Sequence, residues 1–293
     1  MKQALLITAY RDFDHLIDII HFFDDDEFEC YIHIDKKHFP DAALVQKIRS
    51  LRPVKWVSDH YTVNWGGRNH LRSYVLLAEE ALKNPAIVYF HLISGQDFPV
   101  KSLAHFKSFA NQSIRRDYLT HYKMPYKNWV NGGMNRVEYY NFYDVLDAKK
   151  NGQWIQRLLR WQQQIGFKRK LSKQVPPLYA GDTWWSLTKE TLQYVMDYTK
   201  EQPYLLKRMK HTFCAEEVYF QTVIMNSPFA ENVVNDNLRY IDWTPGRSEN
   251  PAHPAVLDNT DLQKMKDSTA LFGRKFQSPV SDELKDKLKK GEA

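Results

Sequence analysis

The chain has 293 residues, 43% apolar, 26% charged and 14% aromatic, the profile of a globular protein long enough for one large domain. Forty-one basic against 35 acidic residues leave a formal charge of +6, which favours an anionic partner such as a nucleotide diphosphate, a nucleic acid or an anionic membrane surface. No arginine-rich run or nucleic-acid motif supports a nucleic acid, and no window approaches the ~20 apolar residues of a membrane span.

Met1-Lys2-Gln3 leads straight into the apolar run Ala4–Tyr10, which leaves no room for a signal peptide and reads as a buried parallel strand. A cytoplasmic protein is therefore expected, with at most peripheral attachment to an anionic membrane. A helix follows, its apolar face supplied by Leu16, Ile17, Ile19, Ile20 and Phe23. Asp12 and Asp14 form an Asp-x-Asp, but their place just after the first strand makes them N-terminal helix acids rather than metal ligands. The Asp24–Asp26 run reads as a solvated turn.

Glu29–Asp35 is a second strand with a carboxylate at its end, able to meet a uracil or ribose or simply to turn the chain. Helix Ala42–Ser50 and a strand around Val54–Val57 come next. Asn64-Trp65-Gly66-Gly67 then sets an aromatic and flexible backbone at a helix entry, suited to close ligand approach or to a packed tryptophan. The amphipathic helix Leu71–Leu82 leads to strand Ile87–Ile93, which opens into Ser94-Gly95-Gln96-Asp97. This alternation predicts an α/β fold with a mostly parallel central sheet flanked by helices. Ligands of such sheets sit at the carboxyl ends of strands, where Asp35 and Asp97 fall.

From about Arg115 to Pro176 the pattern is less regular, rich in Tyr, Trp, Asn and Lys, with a basic helix near Ile155–Lys170. A strand resumes over Tyr179–Leu187 and carries Trp184 and Trp185, a pair that fits either a core or a sugar platform. After helix Glu190–Thr199, Glu216 and Glu217 stand at the mouth of an apolar, aromatic helix. Carboxylates have no packing reason to lead such a run, although the helix dipole favours them there. Strand Leu238–Trp243 and a Pro/Asn/Gly-rich loop over Thr244–Pro254 precede Phe272-Gly273-Arg274-Lys275-Phe276, where two cations between aromatics suit a departing diphosphate. Cys30 and Cys214 have no metal-type spacing and read as free thiols. No linker divides the chain, so one domain is expected: a nucleotide-binding half over about 1–110, an acceptor and catalytic half over about 111–276, and a basic tail over 277–293.

In this order the segments resemble the core-2/I-branching β-1,6-N-acetylglucosaminyltransferase family, which also contains peptide O-xylosyltransferases. The matching blocks are the opening strand, Tyr31–Lys37, Asn64–Ser73, Leu92–Lys101, Gly181–Lys189, Glu216–Thr222, Arg239–Trp243 and Leu271–Phe276. The resemblance implies a GT-A-like fold and inverting transfer of one sugar from a UDP-sugar, with neither a divalent metal nor another cofactor. N-acetylglucosamine is the first expectation for that sugar, with xylose and galactose open. The acceptor is expected to be an oligosaccharide or lipid-linked glycan of surface polysaccharide synthesis.

The resemblance places the catalytic base on Glu217, the uridine-contacting aspartate on Asp35, the diphosphate lysine on Lys275 and a donor-side aromatic on Trp243. Trp65, Asp97 and Arg274 complete the expected donor site, and Thr120, Trp184, Trp185 and Glu216 the expected acceptor site. Departures are visible too. Ala252 and His253 stand about where the animal enzymes carry a second diphosphate-binding arginine, with Arg247 the nearest cation. Thr120 replaces their acceptor-contacting glutamate ahead of Lys123-Met124-Pro125, and their disulfide cysteines and Golgi anchor are missing, so the likeness is to bacterial members. The alternative function is a non-catalytic, lectin-like protein on the same fold.

Overall fold

The computed structural model describes residues 1–113, 115–250 and 253–291. Twelve strands occur among them: β1 Lys2–Ala9, β2 Phe28–Ile34, β3 Val54–Ser58, β4 Ile87–Ser94, β5 Asp97–Pro99, β6 Asp117–Leu119, β7 Tyr122–Lys123, β8 Tyr179–Ala180, β9 Trp185–Thr188, β10 Val233–Val234, β11 Arg239–Ile241 and β12 Phe272–Arg274. Seven form one sheet in the order β10-β6-β9-β4-β1-β2-β3, a second sheet runs β11-β12-β5, and β7 pairs with β8. β1, β2, β3 and β4 run parallel, and β9 lies antiparallel between β4 and β6. The expected mostly parallel, helix-flanked α/β sheet is present.

Both faces of the main sheet are covered, and β1 shows why its sequence is an unbroken apolar run rather than an alternation. Successive strand residues point to opposite faces. Ala4 and Leu6 enter one core with Tyr74, Phe90, Trp185 and Tyr219, while Leu5 and Ile7 enter the other with Phe23, Phe98, Phe106 and Phe272. The first core takes in Val218, Tyr219 and Phe220 of the helix Glu216–Met225, and the second holds the small sheet, through Phe98 and Phe272, against the main one. β1, β2 and β4 end side by side, with Asp35 N–H donating to the Ala9 carbonyl and Gly95 N–H to Thr8.

Three elements differ from the sequence expectation. The strand read over Tyr179–Leu187 breaks at Gly181, because two main chains cross there: a Cβ on Gly181 would lie 1.8 Å from the Thr120 carbonyl oxygen. The basic helix runs over Ala148–Gln164, capped at its start by the Asp147 carboxylate, which accepts from Lys149 N–H, and Gly166 with φ +66° turns the chain just past its end. The C-terminal segment forms the helix Asp282–Lys289, which buries Leu284 and Leu288; its Lys285 and Lys289 both reach Asp18. Other readings stand as expected. Asp12 caps the helix Phe13–Phe22, Arg52 and Lys107 pair with the Asp24–Asp26 turn, and both cysteines are free and buried. Among the described residues no helix is long and apolar enough to cross a membrane.

Candidate active site

Three stretches of main chain converge on the start of the helix Glu216–Met225. Cys214, itself at φ +49°, donates its N–H to the Gly66 carbonyl at 3.0 Å, and Phe213 N–H donates to the Arg136 carbonyl at 3.0 Å. Gly181 N–H donates to the Glu217 carbonyl at 2.9 Å. Gly66 is required to be glycine twice over: its φ is +74°, and a Cβ would meet the Phe213 ring at 2.6 Å. The Trp65-Gly66-Gly67 entry and the Gly181 break thus serve one purpose, to fix where the helix begins.

Glu217 sits in the first turn with a quarter of its side chain accessible, and the Arg136 guanidinium pairs with its carboxylate. Burial is the largest influence and pushes the Glu217 carboxyl up to about 7; Arg136 opposes the rise while Glu216 and Asp182 add to it. Arg136 is held in place by stacking over Trp129 at 4.6 Å and over Phe213 at 5.7 Å. The neighbouring Glu216 is buried. One of its oxygens lies 3.3 Å from His70 Nδ1, and the other has no hydrogen-bond partner among the described residues. His70 stacks on Tyr74 one helical turn further along.

Arg274 of the C-terminal motif acts on the same Tyr74 hydroxyl as Glu216 and Glu217. Arg274 donates to Ser94 Oγ at 2.6 Å and to Asp97 at 3.2 Å, with its guanidinium 4.6 Å over the Trp184 ring. Lys275 has no carboxylate partner among the described residues; burial first, then the charges of Arg11 and Arg274, lowers its pKa. Arg11, Arg274 and Lys275 therefore form an under-neutralised cationic cluster beside the ends of β1 and β4. The Tyr74 hydroxyl joins the two halves. Burial raises its pKa well above the ordinary value, and it feels Glu216, Arg274, Glu217 and Asp97 together. It makes no hydrogen bond among the described residues.

Several expected contacts change role. Asp97 was expected to touch the donor, but it is fully buried and accepts from Ser94 N–H and Arg274, so it positions Arg274 instead. Trp185 cannot touch an acceptor either: it is fully buried against Phe220 at 5.1 Å, in the first core. Trp184 is also buried and offers its ring to Arg274. Asp35 lies at the end of β2 as expected, with its carboxylate occupied by Lys37 N–H, Val63 N–H and His38 Nδ1. Thr120 follows β6, nearly buried, with its carbonyl against Gly181. Trp65 and Trp243 are both mostly exposed; Trp65 sets its edge against Phe213 at 5.3 Å. Arg247 does not join the cluster, since Asp242, Asp258 and Asp261 all hold it, and Ala252 lies outside the described residues. No group of three metal-ligating side chains forms among the described residues.

Sequence reasoning missed Arg11, His70, Tyr74 and Arg136. Arg11 had a signal, its position directly after the first strand. His70 and Tyr74 share a helix face at i, i+4 beyond the Gly66-Gly67 entry. Arg136 had none, because it lies in a four-residue helix inside the irregular middle.

The sequence pattern of the Core-2/I-branching enzyme family matches residues 4–266. Xylosyltransferase 2 of Canis lupus familiaris is 25% identical over 281 residues, which cover 87% of this chain and 29% of that protein, and the Homo sapiens protein gives the same figures. Beta-glucuronosyltransferase GlcAT14A of Arabidopsis thaliana is 32% identical over 117 residues, 38% of this chain and 25% of that protein. The chain thus spans under a third of the length of these relatives. Among solved structures, S. aureus TarS 1-349 in complex with UDP aligns over 41% of this chain and 35% of that one at 15% identity, with a TM-score of 0.32. A glycosyltransferase involved in glycosylation of the major capsid of PBCV-1 aligns over 99% of both chains at 11% identity, with a TM-score of 0.35. With its pattern matched from the first strand to beyond the helix Glu216–Met225, the chain belongs to the Core-2/I-branching enzyme family.

Proposed function

We propose that this protein transfers one sugar from a UDP-sugar to a glycan acceptor with inversion, using Glu217 as general base and no divalent metal. The observation that carries the reading is the carboxylate of Glu217 at a helix start, paired with Arg136 and sharing the surroundings of the Tyr74 hydroxyl with Arg274; burial pushes its carboxyl up to about 7. A base works best when its pKa lies near the operating pH, where it is ionised yet basic enough to take a hydroxyl proton. Glu217 removes the proton of the acceptor hydroxyl as that oxygen attacks the anomeric carbon from the face opposite the leaving UDP. The C1–O bond to UDP breaks, and Lys275, Arg274 and Arg11 meet the charge gathering on the diphosphate. Glu216, expected at the acceptor, is buried against His70 and acts instead through its charge, which adds to the rise of the Glu217 carboxyl. The exposed rings of Trp65 and Trp243 suit stacking on sugar or base. Asp35 shapes the loop on the uridine side through its bonds to residues 37, 38 and 63.

For the donor, N-acetylglucosamine remains the first proposal, and xylose and glucuronic acid are added by the names of the relatives. The acceptor proposed is a surface or lipid-linked glycan. Thermal unfolding with UDP, UDP-N-acetylglucosamine, UDP-xylose, UDP-glucuronate, UDP-galactose and GDP-mannose, each with and without EDTA, tests the reading. A ligand at 100 times its Kd stabilises by about 2.7 kcal/mol. A UDP-selective rise in Tm that persists in EDTA is expected. No rise with any UDP compound, or a rise abolished by EDTA, would overturn it.

A further inference from the structure

The helix Ala148–Gln164 presents a feature the transferase reading does not use. Ile155 and Gln162 face the protein; the Gln162 side chain closes on the Tyr140 main chain with bonds of 2.8 and 3.0 Å. Beside that inward edge runs an apolar stripe, Trp154, Leu158, Trp161 and Ile165, spaced at i, i+4, i+7 and i+11 on one helix face. It is turned to solvent: Trp154 is 60% exposed, Trp161 56%, Ile165 55%, and Phe167 just past the helix end 51%. Singly exposed apolar residues are ordinary, but a contiguous stripe with two tryptophans marks an interaction surface.

The charge around the stripe says what covers it. Residues 148–181 contain eight lysines and arginines and no acid. Only Lys168 among them has a carboxylate partner, Glu138, among the described residues, and Arg169 is committed to the carbonyls of Tyr139, Arg208 and Lys210. Arg157 lies over the Trp154 ring at 5.1 Å. A symmetric pairing of two copies through this face would set cations against cations. A nucleic acid would leave the apolar stripe without a partner. Tryptophan and aliphatic side chains framed by unpaired lysines and arginines match the headgroup and upper acyl region of an anionic bilayer.

We propose that this helix docks the protein on an anionic lipid surface, lying in the plane of the membrane with Trp154, Trp161, Ile165 and Phe167 inserted. Gln156 contacts Tyr143, which packs on Phe213 beside Trp65, so the docked helix borders the mouth of the active site. The C-terminal helix is excluded from this role because its Lys285, Lys287 and Lys289 pair with Asp18, Asp282 and Glu283.

Flotation of the full chain with phosphatidylglycerol–phosphatidylcholine vesicles, and with pure phosphatidylcholine vesicles, reads the proposal without any turnover. Its failure is therefore distinct from failure of the transferase reading. Binding should require phosphatidylglycerol. It should fall about tenfold or more in Trp154→Ala/Trp161→Ala and in Lys149→Gln/Lys150→Gln, and stay unchanged in Lys287→Gln/Lys290→Gln. A cooperative thermal transition at an unchanged Tm verifies that each variant is folded. Absence of phosphatidylglycerol-dependent binding, or binding undiminished by loss of the tryptophans, overturns the proposal. So does a solution dimer that the tryptophan variant dissociates, which would make the stripe an interface between copies.

Discussion

Replacing Arg136 by glutamine isolates its electrostatic role from the rest of the site. Glu217 stands at about 7 only because Arg136 works against burial and against the neighbouring Glu216. A hydrogen bond to a charged group contributes about 1.5–3 kcal/mol, and each pKa unit corresponds to about 1.36 kcal/mol. Loss of the guanidinium therefore moves the carboxyl up by about one to two units, to roughly 8–9. At pH 7 the ionised fraction drops from about a half to between about a tenth and a hundredth, so kcat/KM falls roughly 5- to 50-fold. The activity returns as the pH is raised, since the proton being removed is the same one. Release of UDP measured from about pH 6 to pH 10 reads the acid limb directly, because kcat/KM reports the pKa of the free enzyme's base. Arg136→Lys, which keeps the charge, should hold the limb near 7. A loss of equal size at every pH would refute the reasoning and make Arg136 a packing residue over Trp129 and Phe213. An acid limb at an unchanged pH would refute it as well.

Glu217→Gln should lower kcat by about 10²- to 10⁴-fold while leaving UDP affinity unchanged. It should also stabilise the fold. The folded carboxyl at about 7 lies above its ordinary value, so ionised Glu217 opposes folding in full above pH 7 and not at all below pH ~4.3. Unfolding at pH 8 should show a gain of roughly 1–3 kcal/mol that vanishes toward pH 4, and a gain independent of pH would contradict the assignment. Lys275→Ala should weaken UDP binding by about ten- to a hundredfold in calorimetry, from the same 1.5–3 kcal/mol; unaltered affinity would remove Lys275 from the diphosphate site. Arg247→Met should destabilise by about 1–3 kcal/mol at neutral pH, by leaving Asp242, Asp258 and Asp261 without their shared cation, and should not change UDP affinity. A tenfold loss of UDP affinity there would return Arg247 to the donor site.

What the sequence disclosed was whatever short-range pattern governs. β1, β2 and β4 were readable as unbroken apolar runs because both of their faces are covered. The place of Glu217 at a helix start was readable because its carboxylate heads an apolar, aromatic run. Asp97 misled because its partner lies 177 residues away: β5 runs antiparallel to β12, in a register that sets Asp97 opposite Arg274. Trp184 and Trp185 misled for a local reason. Neighbours on an extended chain point to opposite sides, so the two rings could not both face one acceptor. Arg136 was hidden altogether, since it belongs to a segment with no period whose placement depends on Trp129 and Phe213.

The position of Glu217 is written in main chain, through the carbonyls of Gly66 and Arg136 and the amide of Gly181. Those bonds are indifferent to the side chains that line a sugar or acceptor pocket. A substitution that reshapes either pocket can leave the Glu217 carboxylate where it is, provided that the crossings at Gly66 and Gly181 keep their glycines. Selectivity and reactivity are thereby separable properties of this scaffold. On the proposed reading, a new donor or acceptor is accommodated by altering the walls of the site, with the carboxylate of Glu217 carried over unchanged.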